Sequence, residues 1–191
     1  IKKLLKIFIW AVVTVVLLFV VIVFSLQFKP VQTFVAKKAA AYLSKELNTT
    51  VSINGLYVKP FKSIVLEDLL VLDLEKDTLL NTPKFIVDIN RFSLKDRILN
   101  VNTVQINDGN IYLKELKDSS SNIDFIINYF DSGTPDTTKQ KRPFLISFDR
   151  VILNNLNFRY KNFKFPDTIK YGVNFEDINV SALNGIFEDL N

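Results

Sequence analysis

The residues equipped for chemistry are few and poorly spaced. Three adjacent carboxylate pairs stand out: Glu67 with Asp68, Glu176 with Asp177, and Glu188 with Asp189. Two carboxylates are the minimum set of a glycosidase. Neighbours on a strand point to opposite faces, however, so no such pair converges on one substrate by itself, and each is expected as a solvated turn. The chain has no His and no Cys. Those absences remove Ser-His-Asp and Cys-His nucleophiles, the commonest general base, the usual zinc ligand sets and disulfides. The five glycines are scattered and never form a phosphate-cradling loop that ends in Lys-Ser or Lys-Thr. The expectation is a non-enzyme with no catalytic residue, cofactor or metal.

What the chain does carry is apolar surface. Residues 7–28, IFIWAVVTVVLLFVVIVFSLQF, hold no charge, and as a helix these 22 residues rise about 33 Å, enough to cross a bilayer core. A cleaved signal peptide has a shorter apolar core followed by small residues, whereas this run ends in bulky Phe24, Leu26 and Phe28, and the cluster Ala39 to Ala41 comes too late. A buried core helix would concentrate its apolar residues on one stripe, but Ile7, Trp10, Phe19, Phe24 and Phe28 are spread all round, which suits lipid. The reading is an uncleaved anchor over 7–28 behind a cytoplasmic stub over 1–6. Lys2, Lys3 and Lys6 set the orientation, with the N-terminus in the cytoplasm and residues from Lys29 outside it.

The net charge of +4 belongs mostly to that stub. With its three lysines set aside, 21 of the 24 basic residues face all 20 acidic ones, so no basic field of the kind that binds nucleic acid exists.

Beyond the anchor, Pro30 suits a first helical turn, and Val31, Phe34, Val35, Tyr42, Leu43 and Leu47 recur at helical spacing. An amphipathic helix is expected over 29–48, its apolar stripe plugging a domain end or resting on headgroups. From Thr49 the period becomes two. Val51, Ile53 and Tyr57 alternate with polar residues, as do Phe85, Val87 and Ile89; between them IVLEDLLVLDL (64–74) is apolar on both parities and reads as a doubly covered strand or one bulged at its acidic pair. Val104 and Ile106, then Asn107-Asp108-Gly109, then Ile111 and Leu113 read as a hairpin, because Asp-Gly accepts the positive φ of a tight turn. SSSNIDFIINYF (119–130) offers a cap and then a short amphipathic helix, and 131–142 an exposed loop. Strand patterns return at Phe144, Ile146 and Phe148, at Val151, Leu153, Phe158 and Tyr160, and at Tyr171, Val173 and Phe175. The segment 104–115 matches 151–162 with an offset of 47 residues, and LEDLLV (66–71) echoes FEDINV (175–180); such echoes suggest stacked strand units that bury one continuous apolar strip.

The order of anchor, amphipathic helix, VSINGLYVKPF, IVLEDLLVLD, KFIVDINRFSL, SNIDFIINYF and RPFLISFDRVILNNLNFRY resembles the N-terminal part of AsmA-like proteins, most specifically the TamB branch. The resemblance implies a chorein-like start to a long chain, and a mainly β fold in which 49–191 form repeats of a curved antiparallel β-groove (a U-shaped β-taco trough). It further implies an inner-membrane bridge in a Gram-negative periplasm, carrying phospholipid toward the outer membrane, with an outer-membrane assembly barrel as partner through a far C-terminal domain. Residues 1–191 carry no support for that last partnership. On this reading Val51, Ile53, Phe85, Val87, Ile89, Val104, Ile106, Ile111, Leu113, Ile146, Phe148, Phe158, Tyr160, Val173 and Phe175 line the lipid path. A filled sandwich produces the same local alternation. The competing functions are an LptC-like anchored jellyroll relaying lipopolysaccharide, and a tethered scaffold for secretion or outer-membrane protein assembly.

The topology is open to test. A reporter fused after Asn191 is expected to work only outside the cytoplasm, and replacing Lys2, Lys3 and Lys6 while adding lysines after Phe28 is expected to invert it. Cytoplasmic activity of the unaltered fusion would refute the orientation.

Overall fold

The computed structural model describes residues 2–25, 27–59, 63–93, 95–132, 145–165 and 172–189. Helix α1 runs Lys2–Ser25. Its side chains are described without a break over 9–21, all exposed, with Trp10 and Phe19 among them. Among the described residues no helix is long and apolar enough to cross a membrane. The anchor side chains Ile7 and Phe24 lie outside the described ones, as do Phe144, Tyr171 and most of the expected loop after Asp131.

Helix α2, Lys29–Glu46, carries Pro30 in its first turn as expected, and it packs through part of the expected stripe, with Leu47 buried and Val31 and Leu43 half-buried. Ala36 and Ala40 are buried with Leu47, while Phe34, Val35 and Tyr42 stay exposed. Small residues let the helix come close to the two short strands β1 (Val51–Ser52) and β2 (Gly55–Val58). At that distance its hydroxyls reach their backbone. Ser44 Oγ donates to the Val51 carbonyl and accepts the Val51 N–H, at 2.9 and 2.8 Å, and Thr33 Oγ1 does the same at Leu56, at 3.2 and 3.1 Å. Gln32 Oε1 accepts the Val58 N–H. An edge that would otherwise recruit a foreign strand is thereby occupied.

The remaining strands are β3 (Ser63–Leu72), β4 (Thr78–Ser93), β5 (Ile98–Asn107), β6 (Asn110–Glu115), β7 (Leu145–Asn162) and β8 (Asp177–Glu188), with α3 at Asp124–Ser132. All eight strands form one mixed sheet. β1 and β2 pair with β3, β3 with β4, and β7 with β8, each antiparallel. Strands β5 and β6 lie end to end between β4, to which both are antiparallel, and β7, to which both are parallel. The fold is thus mainly β as expected, but not purely antiparallel.

This arrangement overturns the hairpin at Asn107-Asp108-Gly109. Asp108 takes φ +52°, and this one left-handed step leaves the chain running in the same direction. Its register with β7 is a constant offset of 47 residues, from Ile98 beside Leu145 to Glu115 beside Asn162. Asn155, the residue aligned with Asp108, takes the same φ of +52°. Toward β3 the row runs through Pro83 on β4 to Asp68 (φ +51°) in the register of the flanking pairs, and on β8 the left-handed Ala182 (φ +54°) lies beside the irregular pairing around Leu156. At the acidic pair of 64–74 the strand is not bulged: its register with β4 runs unbroken from Glu67 to Leu69 through a left-handed Asp68, and shifts only between Val71 and Leu72.

The sheet is therefore creased along one line, and its core straddles the crease. Val101, Val104, Ile106 and Leu156 are buried together, with Leu80, Ile111 and Leu183 from one side and Phe85, Val87, Leu99, Val151 and Leu153 from the other packed against them. Leu156 stands at the position aligned with Gly109, and a Cβ built on Gly109 would lie 3.0 Å from both Leu156 Cδ1 and the Asn81 carbonyl. Glycine at 109 makes room for leucine at 156. A further correction concerns Val173 and Phe175, which are exposed and off any strand. Gly172 at φ +96° and the Asn174 side chain accepting the Glu176 N–H turn that segment, and the strand begins only at Asp177. Ile53 likewise falls in the break between β1 and β2. The echo of 66–71 in 175–180 joins strands that do not pair with each other.

Gly109→Ala is expected to cost about 1–3 kcal/mol by overpacking and Leu156→Ala about 2–5 kcal/mol by leaving a cavity. In the double variant the new methyl takes up part of the vacated space, so denaturant melts of all four proteins should show the two losses adding to less than their sum. Strict additivity would mean that the two residues are not in contact.

Candidate functional site

Two constructions in the sheet bear on function, an apolar face and a buried ionic hub. On the apolar face the register sets Phe85, Val87 and Ile89 of β4 beside Ile106, Val104 and Val101 of β5, and these beside Leu153, Val151 and Phe148 of β7. Ile146 lies beside Leu99. Irregular pairing around Ile89 brings Val101, of odd parity, onto the same face as Val104 and Ile106. Across the crease Ile111 and Leu113 lie beside Phe158 and Tyr160. Val51, half-buried on β1, stands at the far end of the same cross-strand row, through Val71 and Leu80 to Ile111.

Burial along the face is graded. Val101 is 2% exposed, whereas Phe148, Phe187 and Phe92 toward its margins are 39, 49 and 58% exposed. Phe187 pairs with Val151, and Phe92 with Leu99, so both continue the buried rows. An apolar surface that begins in a packed core and runs out to exposed aromatics has room for further apolar contact at its rim.

Along the crease the parallel strands are joined by side chains with the same 47-residue offset. Asn154 Nδ2 donates to Asn107 Oδ1 at 2.9 Å, Asn155 Nδ2 to Asp108 Oδ1 at 2.7 Å, and Asn157 Nδ2 to Asn110 Oδ1 at 3.0 Å. Ladders of this kind fix parallel, in-register pairing, because a slip of one residue breaks every rung.

The ionic hub was not legible in the sequence. Lys114 on β6 is 3% exposed, and its Nζ lies 2.9 Å from Asp73 Oδ2, itself 1% exposed, 3.0 Å from Glu75 Oε2, and against Asp77 Oδ2. The three carboxylates lie within 4.8 Å of one another, a grouping that could hold a cation, and the ammonium of Lys114 is that cation here. Asp73 is fully engaged: its Oδ1 accepts the Glu75 and Asp77 N–H groups and its Oδ2 accepts Asn122 Nδ2. Asn122 also accepts the Lys114 N–H and donates to the Tyr112 carbonyl, and Thr49 Oγ1 reaches the Leu72 and Asp73 carbonyls. The ammonium ties β6 to the β3–β4 turn, and Thr49 and Asn122 join the segment after α2 and the approach to α3 to the same cluster. Burial alone would raise the Asp73 carboxyl, but the bonds from Lys114, Asn122 and the Asp77 backbone outweigh it and hold the group below its usual range. At Lys114 burial would lower the ammonium, and the three carboxylates overcome it and raise it. A lysine kept protonated in this way is no nucleophile and no base.

The acidic pairs singled out earlier are also engaged, and not merely solvated. Glu67 pairs with Lys29 at 2.9 Å, Asp177 with Lys161 and Arg159 at 3.2 and 3.5 Å, and Glu188 with Arg150 at 2.8 Å. Compared with known proteins, the chain matches no family model, no curated protein and no solved structure.

The hub sets a pH window. Asp73 is lowered, so its contribution is complete above about pH 4 and drains away as the pH falls through the folded value; Lys114 is raised, so its contribution is complete below about pH 10.4 and is lost as the pH climbs through the folded value. Lys114→Met strands Asp73 and is expected to cost about 3–5 kcal/mol at neutral pH. That loss should shrink in acid, where Asp73 protonates, and part of it should return with Asp73→Asn. An equal loss at pH 3 and pH 7 would assign the effect to packing of the lysine stem.

Proposed function

We propose that this chain is a membrane-anchored envelope protein of AsmA-like, TamB-like character. Its sheet lays phospholipid acyl chains along the apolar face and so carries them from the inner membrane toward the outer membrane of a Gram-negative cell. The observation that carries the reading is the graded face: rows that are buried at Val101, Val104 and Ile106 and run out to exposed Phe148, Phe187 and Phe92. Each methylene moved through bulk water costs on the order of 0.8 kcal/mol, so a continuous apolar margin lowers the barrier to lipid movement without any catalytic group.

A further observation supports it. The constant offset of 47 residues across β5, β6 and β7, with Asn rungs at three positions, fits 98–115 and 145–162 as two copies of one unit that extends an apolar strip by stacking. The anchor rests on the charge-free run 7–28 and on the helical backbone of α1, with the stub lysines holding the N-terminus in the cytoplasm.

Photo-crosslinkers at Phe92, Phe148 and Phe187 are expected to capture phospholipid in cells, and those at exposed, opposite-facing Lys84 and Asn157 are not. Phe187→Asp should reduce capture with a stability change of about 0.5 kcal/mol or less, as for exposed sites generally, whereas Ile106→Asp buries a charge in the core and should unfold the domain. Equal labelling at both sets of positions would refute the lipid path.

A further inference from the structure

The face of α2 turned away from the sheet has no role in the reading above. Helical geometry places Phe34, Lys38, Ala41, Tyr42 and Lys45 roughly opposite the buried Ala36 and Ala40, with Lys37 on the flank. Phe34 is 62% and Tyr42 56% exposed, Lys38 Nζ lies 5.6 Å from the Phe34 ring centroid, and the Tyr42 hydroxyl is hydrogen-bonded to Tyr129 of α3, which leaves its ring the exposed part. Among the described residues Lys37, Lys38 and Lys45 make no ion pair, and the only acidic residue in the helix is Glu46. Lys29 is different: it holds the start of the helix to the sheet through Glu67 and the Tyr57 ring. The helix begins at Lys29, directly after the Phe28 cap and only four residues beyond the end of α1 at Ser25.

We infer that this outward face of α2 lies on an anionic bilayer surface, with Lys37, Lys38 and Lys45 among phospholipid headgroups and Phe34 and Tyr42 at the acyl boundary. The chemistry is that of an interfacial helix: aromatic rings with one wet end, interleaved with cations, on a helix of low acidity. The small-residue face seals the sheet edge while the aromatic and basic face meets the membrane, so one helix fixes the distance and tilt of the sheet above the bilayer. The inference rests on α1 being the anchor only in that α1 brings α2 to the surface.

Because the chain lacks Cys, single cysteines report cleanly. An environment-sensitive fluorophore on Ala41→Cys, in the 1–191 chain reconstituted into vesicles, is expected to move to an apolar environment in phosphatidylglycerol-containing bilayers and to stay aqueous in purely zwitterionic ones. Each of Lys37→Gln, Lys38→Gln and Lys45→Gln should lower the docked-to-undocked ratio about five-fold. Molar salt should remove the difference, since the screening length falls to about 3 Å. A second label on Leu17→Cys, quenched from the bilayer centre, reports the anchor independently. Quenching at 17 with an aqueous signal at 41 in both bilayers would overturn the α2 contact and leave the anchor standing. Lack of quenching at 17 would refute the anchor, and the difference between vesicles at 41 would still decide the α2 contact. Shielding at 41 that ignores lipid charge and the three substitutions would mean that protein covers the face, and would also overturn the inference.

Discussion

The core is built within one sheet, from neighbouring strands on both sides of a line of left-handed residues. Among the described residues all eight strands belong to one sheet, and α2 docks at its β1–β2 edge without covering the face. The core therefore depends on the crease at Asp68, Pro83, Asp108 and Asn155, where left-handed residues and a proline line up, with the left-handed Ala182 beside the irregular pairing on β8. A left-handed step costs an ordinary residue on the order of 1 kcal/mol, and Asp and Asn tolerate it best because their short side chains bond locally. Here one such pair, Asn155 and Asp108, also forms the middle rung between the parallel strands, with Asn154–Asn107 and Asn157–Asn110 on either side, so the register is locked where the left-handed step occurs.

The hub around Lys114 performs a similar service at the end of the sheet. Burying an ammonium is unfavourable unless every bond is met, and three carboxylates with a net negative balance meet it. Since the partners come from the β3–β4 turn, and Asn122 and Thr49 brace that turn from either side, the cluster reinforces the short β4–β6 pairing at Leu80–Ile111 and Asn81–Asn110. Its exposed members, Glu75 and Asp77, leave water access to one side, which keeps the desolvation of the charges partial.

Edge protection explains why α2 packs through only part of the expected stripe. A face of Phe34, Val35 and Tyr42 would have buried more area, but bulky side chains hold a helix about 10 Å from its neighbour, too far for Ser44 and Thr33 to satisfy an edge backbone. Alanine at 36 and 40 lets the hydroxyls reach. Unsatisfied edge amides attract foreign strands, and the helix removes that liability at the cost of leaving aromatic residues outside.

By itself the sequence determined what is local: a charge-free 22-residue run, the lack of His and Cys machinery, a change of period near Thr49 from helical to alternating, and the cap and helix that became α3. Even the 47-residue offset was readable, because equal side chains recur where strands are to lie side by side. Only the tertiary structure decided what non-local partners decide. Asp108-Gly109 suits a hairpin turn and a single left-handed step equally well, and it was the parallel strand 47 residues away, with Leu156 filling the space above Gly109, that selected the step. The partners of Lys114 lie 37 to 41 residues upstream, at no spacing that a periodicity could reveal. The face of α2 that is buried was set by the reach of two hydroxyls to an edge, a distance that exists only once the sheet does.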